Sequence, residues 1–171
     1  MTLAEHEAHM ALALQLAQEA YAAEEIPVGA VIARGNEVIA IARNRRESAQ
    51  DPTAHAEILA IQAAARALGT RRLSDCTLYV TLEPCPMCAG AMVMAELSQC
   101  YFAATDLRQG CGESVYALTQ EPSFYHRLPC IGGLMAKEAS ALLLNFFQEK
   151  RDKKTTQRKH INFEGACACD H

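Results

Sequence analysis

The chain has 171 residues, half of them hydrophobic and about a fifth charged, with a formal net charge of −4. That is enough chain for one domain with a sizeable core, and it excludes a low-complexity or repeat protein. No uncharged apolar run reaches the roughly 18 residues that span a bilayer, and the acidic start, Met1 to Glu7, lacks the basic and apolar regions of a signal peptide. A cytoplasmic protein with no membrane partner is expected. The charge is uneven: an acidic body is followed by a basic run from Lys150 to Lys159. From charge alone such a run reads first as a solvated helix end with a tail, and second as an arm that meets phosphates.

In chain order, Met10, Leu14, Ala17 and Tyr21 recur at helical spacing and predict an amphipathic helix over 3–23. Pro27 ends it. Val28–Ala33 and Val38–Ala42, either side of Gly35-Asn36, predict a β-hairpin. A polar loop over 43–50 leads to Asp51-Pro52, an N-cap and first-turn pair that predicts a helix closing at Gly69, with Ile58, Ile61, Ala65 and Leu68 on its buried face. Next come a strand at 76–81, a helix at 86–97 and a strand at 99–104. A loop around 110–113, a short helix over 114–118 and a weak strand at 128–135 follow. The last helix is predicted from Lys137 to about Lys153, with Ala141, Leu144 and Phe147 on one face, and the end of the chain reads as disordered. Helices must cover both faces of a mixed sheet of about five strands, so the expected class is α/β, a three-layer α/β/α sandwich. The domain is expected over 1–154, and 155–171 as a basic, then cysteine-containing tail.

Of eight cysteines, Cys76 and Cys100 fall in strand-like contexts, where a free cysteine acts as a small core hydrophobe, and disulfides are not expected. Cys85 and Cys88 are different. They lie three apart at a strand-to-helix turn, with Pro86 at the first helical position, so both thiols can face one ion at a helix N-terminus. Alone, the pair permits a redox couple, a structural zinc or a catalytic zinc. His55 supplies a nitrogen ligand, and one imidazole with two thiolates suits Zn2+ and leaves a fourth tetrahedral position for water. Glu57, two residues on, is poorly placed as a ligand and well placed to move a proton beside that water. Neither a redox pair nor a closed structural zinc needs it.

His-x-Glu followed by Pro-Cys-x-x-Cys is the general signature of the zinc-dependent nucleobase deaminases, and this chain carries both halves in order. The chain resembles the bacterial tRNA-specific adenosine deaminases of the cytidine deaminase-like superfamily, through Ile26–Val31, Asn44, Asp51–Ile58, Thr77–Cys85, Met87–Met92, Asp106 with Gly110, His126-Arg127 and Phe146-Phe147. That resemblance implies the cytidine deaminase-like fold, a homodimer, and hydrolysis of adenosine to inosine at the wobble position of a tRNA anticodon. It implies that His55, Cys85 and Cys88 hold one Zn2+ and that Glu57 shuttles protons. It further implies that Asn44 bonds the flipped base, Val28 and Ala56 line the pocket, and Asp106 and Arg151 meet the RNA; Tyr125 is expected to touch the substrate, by stacking on a base or by reshaping the pocket for a smaller substrate. Two positions depart from the family pattern: Tyr125 stands where an Asn is usual, and Glu113 puts an acid near the RNA path. A deaminase of a free nucleobase or nucleoside, such as guanine or cytosine, is the alternative.

Overall fold

The computed structural model describes the backbone from Met1 to Ala166 and the side chains to Thr156. Helix α1 (Leu3–Ala22) is followed by strands β1 (Gly29–Arg34) and β2 (Glu37–Arg43), the short helix α2 (Arg46–Ala49) and helix α3 (Ala56–Leu68). Strand β3 (Thr77–Leu82), helix α4 (Pro86–Met94), strand β4 (Gln99–Ala104), a 3-10 turn (Leu118–Gln120), strand β5 (Cys130–Ile131) and helix α5 (Ala136–Ala166) complete the order. The strands form one sheet in the order β2-β1-β3-β4-β5, antiparallel from β2 to β3 and parallel from β3 to β5. The three-layer α/β/α sandwich expected from the sequence is what the chain forms.

The two-residue strand period divides the core cleanly. Ala30, Ile32, Leu78 and Val80 point to the face carrying α3 and α4, where they meet Ala56, Ala60, Ala64, Met92 and Val93. Val31, Ala33, Tyr79 and Ala103 point to the other face, against Met10, Ala13 and Leu14 of α1 and Ala139 of α5. Helix α1 rides so close to β1 that a Cβ on Gly29 would collide with the Ala13 carbonyl. Cys76 and Cys100 are fully buried free thiols, and no disulfide forms among the described residues.

Several local expectations need correction. Asp51 does start a turn, but its carboxylate accepts from the Thr53 N–H at 2.8 Å and the Thr53 hydroxyl at 2.7 Å, which closes a tight local loop instead of a helix. Helix α3 therefore begins at Ala56, and His55 is its N-cap rather than a first-turn residue. Its buried face is Ala56, Glu57, Ala60 and Ala64, and Ile58 and Ile61 are only half-buried: small residues let the helix lie directly on the sheet. The polar loop after β2 contains α2, and α4 stops at Met94. Residues 114–118 do not form a helix, the 3-10 turn falls at Leu118–Gln120, and β5 keeps only two residues.

The α5 stripe is also displaced. Leu144 is 67% exposed and Phe147 42%, whereas Ala139 and Phe146 are buried. Adjacent apolar pairs, Leu143-Leu144 and Phe146-Phe147, let two stripes fit the same period, so spacing alone does not choose the inner one. The helix continues to Ala166 rather than ending near Lys153. Cys167 and Cys169 lie outside the described residues.

Candidate metal centre and cleft

The site forms where the N-termini of α3 and α4 meet. His55 and Cys85 are the N-caps of these helices, both in extended conformation (φ −71°, ψ 149° and φ −74°, ψ 173°). Neither side chain caps its own helix, so both stay free to face across the gap. Pro86 sits at the first helical position of α4, where a missing N–H costs nothing. One turn on, Cys88 comes round to the same side. His55 Nδ1 lies 3.7 Å from Cys85 Sγ and 3.5 Å from Cys88 Sγ. The three ligand atoms fall within 4.8 Å of one another, a group able to hold a metal ion.

The electrostatics of the trio call for a cation. The Cys88 thiol donates to Cys85, which brings the Cys85 thiol down to about 4 despite burial, with help from His55. Cys88 is driven far up by that same bond and by desolvation. One thiolate forms readily here; a second needs positive charge beside it. A dication supplies that charge, and two sulfurs with one imidazole nitrogen are the donor set that Zn2+ prefers. The chemistry of the residues present therefore fits the metal.

Glu57 stands in the first turn of α3, 4% exposed. Desolvation dominates its titration and raises the carboxyl to about 7. Next to the trio opens a cleft whose lining includes Val28, Asn44, Ala56, Glu57 and Asp106. Asn44, at the end of the hairpin, is buried; its Nδ2 donates to the Ile26 carbonyl at 3.3 Å. Its Oδ1 has no donor, one of two such buried side-chain atoms among the described residues.

Thus the structure brings His55, Cys85, Cys88, Glu57, Asn44, Val28, Ala56 and Asp106 to one place. It does not bring Tyr125 or Arg151 there. The Tyr125 side chain is largely exposed, and its hydroxyl donates to the Val93 carbonyl at 3.2 Å, near the far end of α4. Arg151 lies on α5, where it donates to Gln148 at 2.8 Å. The sequence reading missed five further residues of the cleft, Ile26, Arg46, Leu82, Glu83 and Gln109. Ile26, Leu82 and Glu83 fall inside segments that carry the family resemblance, but nothing in the linear chain marks them as cleft residues. Arg46 and Gln109 sit in polar loops where nothing distinguishes them from solvated residues.

A sheet of this order, with a His/Cys/Cys cluster across two helix starts and a carboxyl beside it, defines a deaminase. The MafB19-like deaminase family matches residues 4–141. The tRNA-specific adenosine deaminase of Bacillus subtilis is 42% identical over 160 residues, 94% of this chain and 99% of that one. That of Aquifex aeolicus is 43% identical, over 82% of this chain and 93% of its own. A solved structure from a study of A-to-I editing by tRNA:A34 deaminases superposes with a TM-score of 0.76 at 41% identity, covering 79% of this chain and 98% of that one. The guanine deaminase of Nitrosomonas europaea superposes at 0.72 with 28% identity, over 82% and 83%. The chain belongs to the MafB19-like deaminase family and to the tRNA-specific adenosine deaminases.

Proposed function

We propose that the protein hydrolyses adenosine to inosine at the wobble position of a tRNA anticodon, releasing ammonia, with one Zn2+ held by His55, Cys85 and Cys88. The observation that carries this is the arrangement of the cleft: an orphaned Asn44 oxygen and a buried, proton-holding Glu57 share it with the ligand trio. The names of the relatives supply the substrate, and a flipped nucleotide suits a cleft of this kind. The deaminase domain is residues 1–154, it works as a homodimer, and the setting is the cytoplasm, where tRNA is found.

His55, Cys85 and Cys88 would hold the zinc, which would supply an activated water for attack on the purine. Glu57 moves the protons: its carboxyl can carry one to the ring nitrogen and then one to the departing amine. Burial keeps its affinity for protons near neutrality, which suits a group that must both take and give. The Asn44 oxygen accepts from an N–H or O–H of the bound nucleotide, which fixes its orientation. Val28 and Ala56 present apolar surface to the base. Asp106 meets the ribose or backbone at the cleft edge, and Tyr125 and Arg151, outside it, meet the RNA beyond the flipped nucleotide.

The second reading, a free-base deaminase, is favoured by the superposition on guanine deaminase. The higher identity of the tRNA enzymes over nearly the whole chain outweighs it. The test is nucleoside analysis of an arginine-type tRNA after incubation with zinc-loaded protein. Inosine at the wobble position, absent with Glu57→Gln of unchanged zinc content, is expected. Ammonia from guanine with no inosine in the RNA transfers the assignment to the free-base class.

A further inference from the structure

Glu83 follows β3 and precedes the Pro84-Cys85 turn, and it is 2% exposed. No Lys or Arg pairs with it among the described residues. Its charge is met instead by one loop. Oε1 accepts from the backbone N–H of Gly112 at 3.2 Å, Glu113 at 2.8 Å and Ser114 at 2.9 Å. Oε2 accepts from the Asp106 N–H at 3.0 Å and the Ser114 hydroxyl at 2.6 Å. The loop closes so tightly on this carboxylate that a Cβ on Gly110 would run into it.

The same loop forms one wall of the cleft, through Asp106 and Gln109. Leu107, Arg108 and Gln109 are exposed, so packing does little to place them. The Asp106 side chain is itself set by a turn, accepting from the Arg108 N–H at 2.9 Å, and that turn begins at the amide that Glu83 holds. The backbone of Glu83 is anchored separately, donating to the Ala104 carbonyl at 2.8 Å. A changed side chain at 83 thus leaves the strand register and the cysteine turn in place while releasing the wall.

We propose that Glu83 is a positioning residue: its buried carboxylate latches the loop from Asp106 to Ser114 in place as the substrate-side wall, and so sets how firmly the nucleotide is gripped. The proposal rests on the deaminase reading given above. A carboxylate is needed because both oxygens must accept. In a glutamine, whichever way the amide turns, its NH2 faces a backbone N–H and leaves donors unsatisfied. Bonds to a charged acceptor are about twice as strong as neutral ones, so the loss is large for an isosteric change.

The experiment compares wild type, Glu83→Gln, Asp106→Ala and the double variant on an anticodon stem-loop RNA with adenosine at the wobble position. Zinc content and amide hydrogen exchange are measured on the same samples. Glu83→Gln is expected to keep its zinc, to lose about tenfold or more in kcat/KM mainly through a higher KM, and to speed exchange at Asp106 and Gly112–Ser114 but not in β3 or β4. If Glu83 acts through the wall, the double variant is no worse than the more severe single one. Ser114→Ala, which removes one donor and keeps the charge, shifts the same quantities less and carries the test if Glu83→Gln does not fold. A Glu83→Gln enzyme with wild-type KM and exchange, or losses that multiply with those of Asp106→Ala, overturns the proposal. Wild-type protein inactive on the RNA would end the tRNA reading instead, and the exchange rates would then decide the latch alone.

Discussion

The metal trio and the loops that wall the cleft differ in what holds them. His55, Cys85 and Cys88 are placed by the starts of two helices, each a short local pattern with its own capping chemistry. The walls are placed by buried carboxylates reaching across the fold. Glu83 gathers the loop after β4, and Glu25, fully buried, accepts from the backbone N–H groups of Glu47 at 3.1 Å and Ser48 at 2.7 Å, which fixes α2 and Arg46. The trio is therefore set by helix starts, and the cleft walls by single buried side chains.

Substitutions at the centre are expected to have the largest effects. Cys88→Ala removes a ligand, and metal analysis should show zinc content falling toward zero with deamination lost alongside it. Glu57→Gln should keep its zinc and lose about 10²–10⁴-fold in kcat, the usual worth of a positioned acid–base group. Among the walls, Asn44→Ala should keep zinc and cost about tenfold in kcat/KM, because the nucleotide loses one buried acceptor.

Glu25→Gln touches no ligand and should show chiefly in stability, lowering it by about 1–3 kcal/mol at neutral pH. Burial raises the Glu25 carboxyl, but hydrogen bonds from Ser48 and Glu47 outweigh it, and the folded value lies below the ordinary 4.5. The stabilisation is thus fully present above the unfolded-state value and lost as pH falls through the folded one. Thermal unfolding across pH 6 to about 3 should show wild type losing that advantage over Glu25→Gln. The smallest effect is Tyr125→Phe. Its hydroxyl bonds a helix-end carbonyl at the surface, so about 0.5–1 kcal/mol of stability is expected to go while kcat on a free nucleoside stays unchanged.

The same division decides what could be read from the sequence. The apolar runs of β1 and β3, the proline and glycine punctuation, and the His-x-Glu and Pro-Cys-x-x-Cys spacings are local, so the layers and the trio were legible. The start of α3 was misplaced because Asp51 has the chemistry of an N-cap and spends it on the Thr53 turn. The inner face of α5 was misplaced because doubled apolar residues satisfy two stripes at once. Glu25 and Glu83 look like ordinary surface acids in a linear chain. Their partners lie 22 to 31 residues away, and no periodicity announces a carboxylate whose partners are backbone N–H groups.

The most direct test of the account is a substrate profile of the zinc-loaded wild-type protein. The ratio of kcat/KM for the wobble-adenosine stem-loop to that for free adenosine, guanine and cytosine measures what the walls select. A strong preference for the RNA, with inosine formed only at the wobble position, is predicted. Faster release of ammonia from a free base than from the RNA would contradict it.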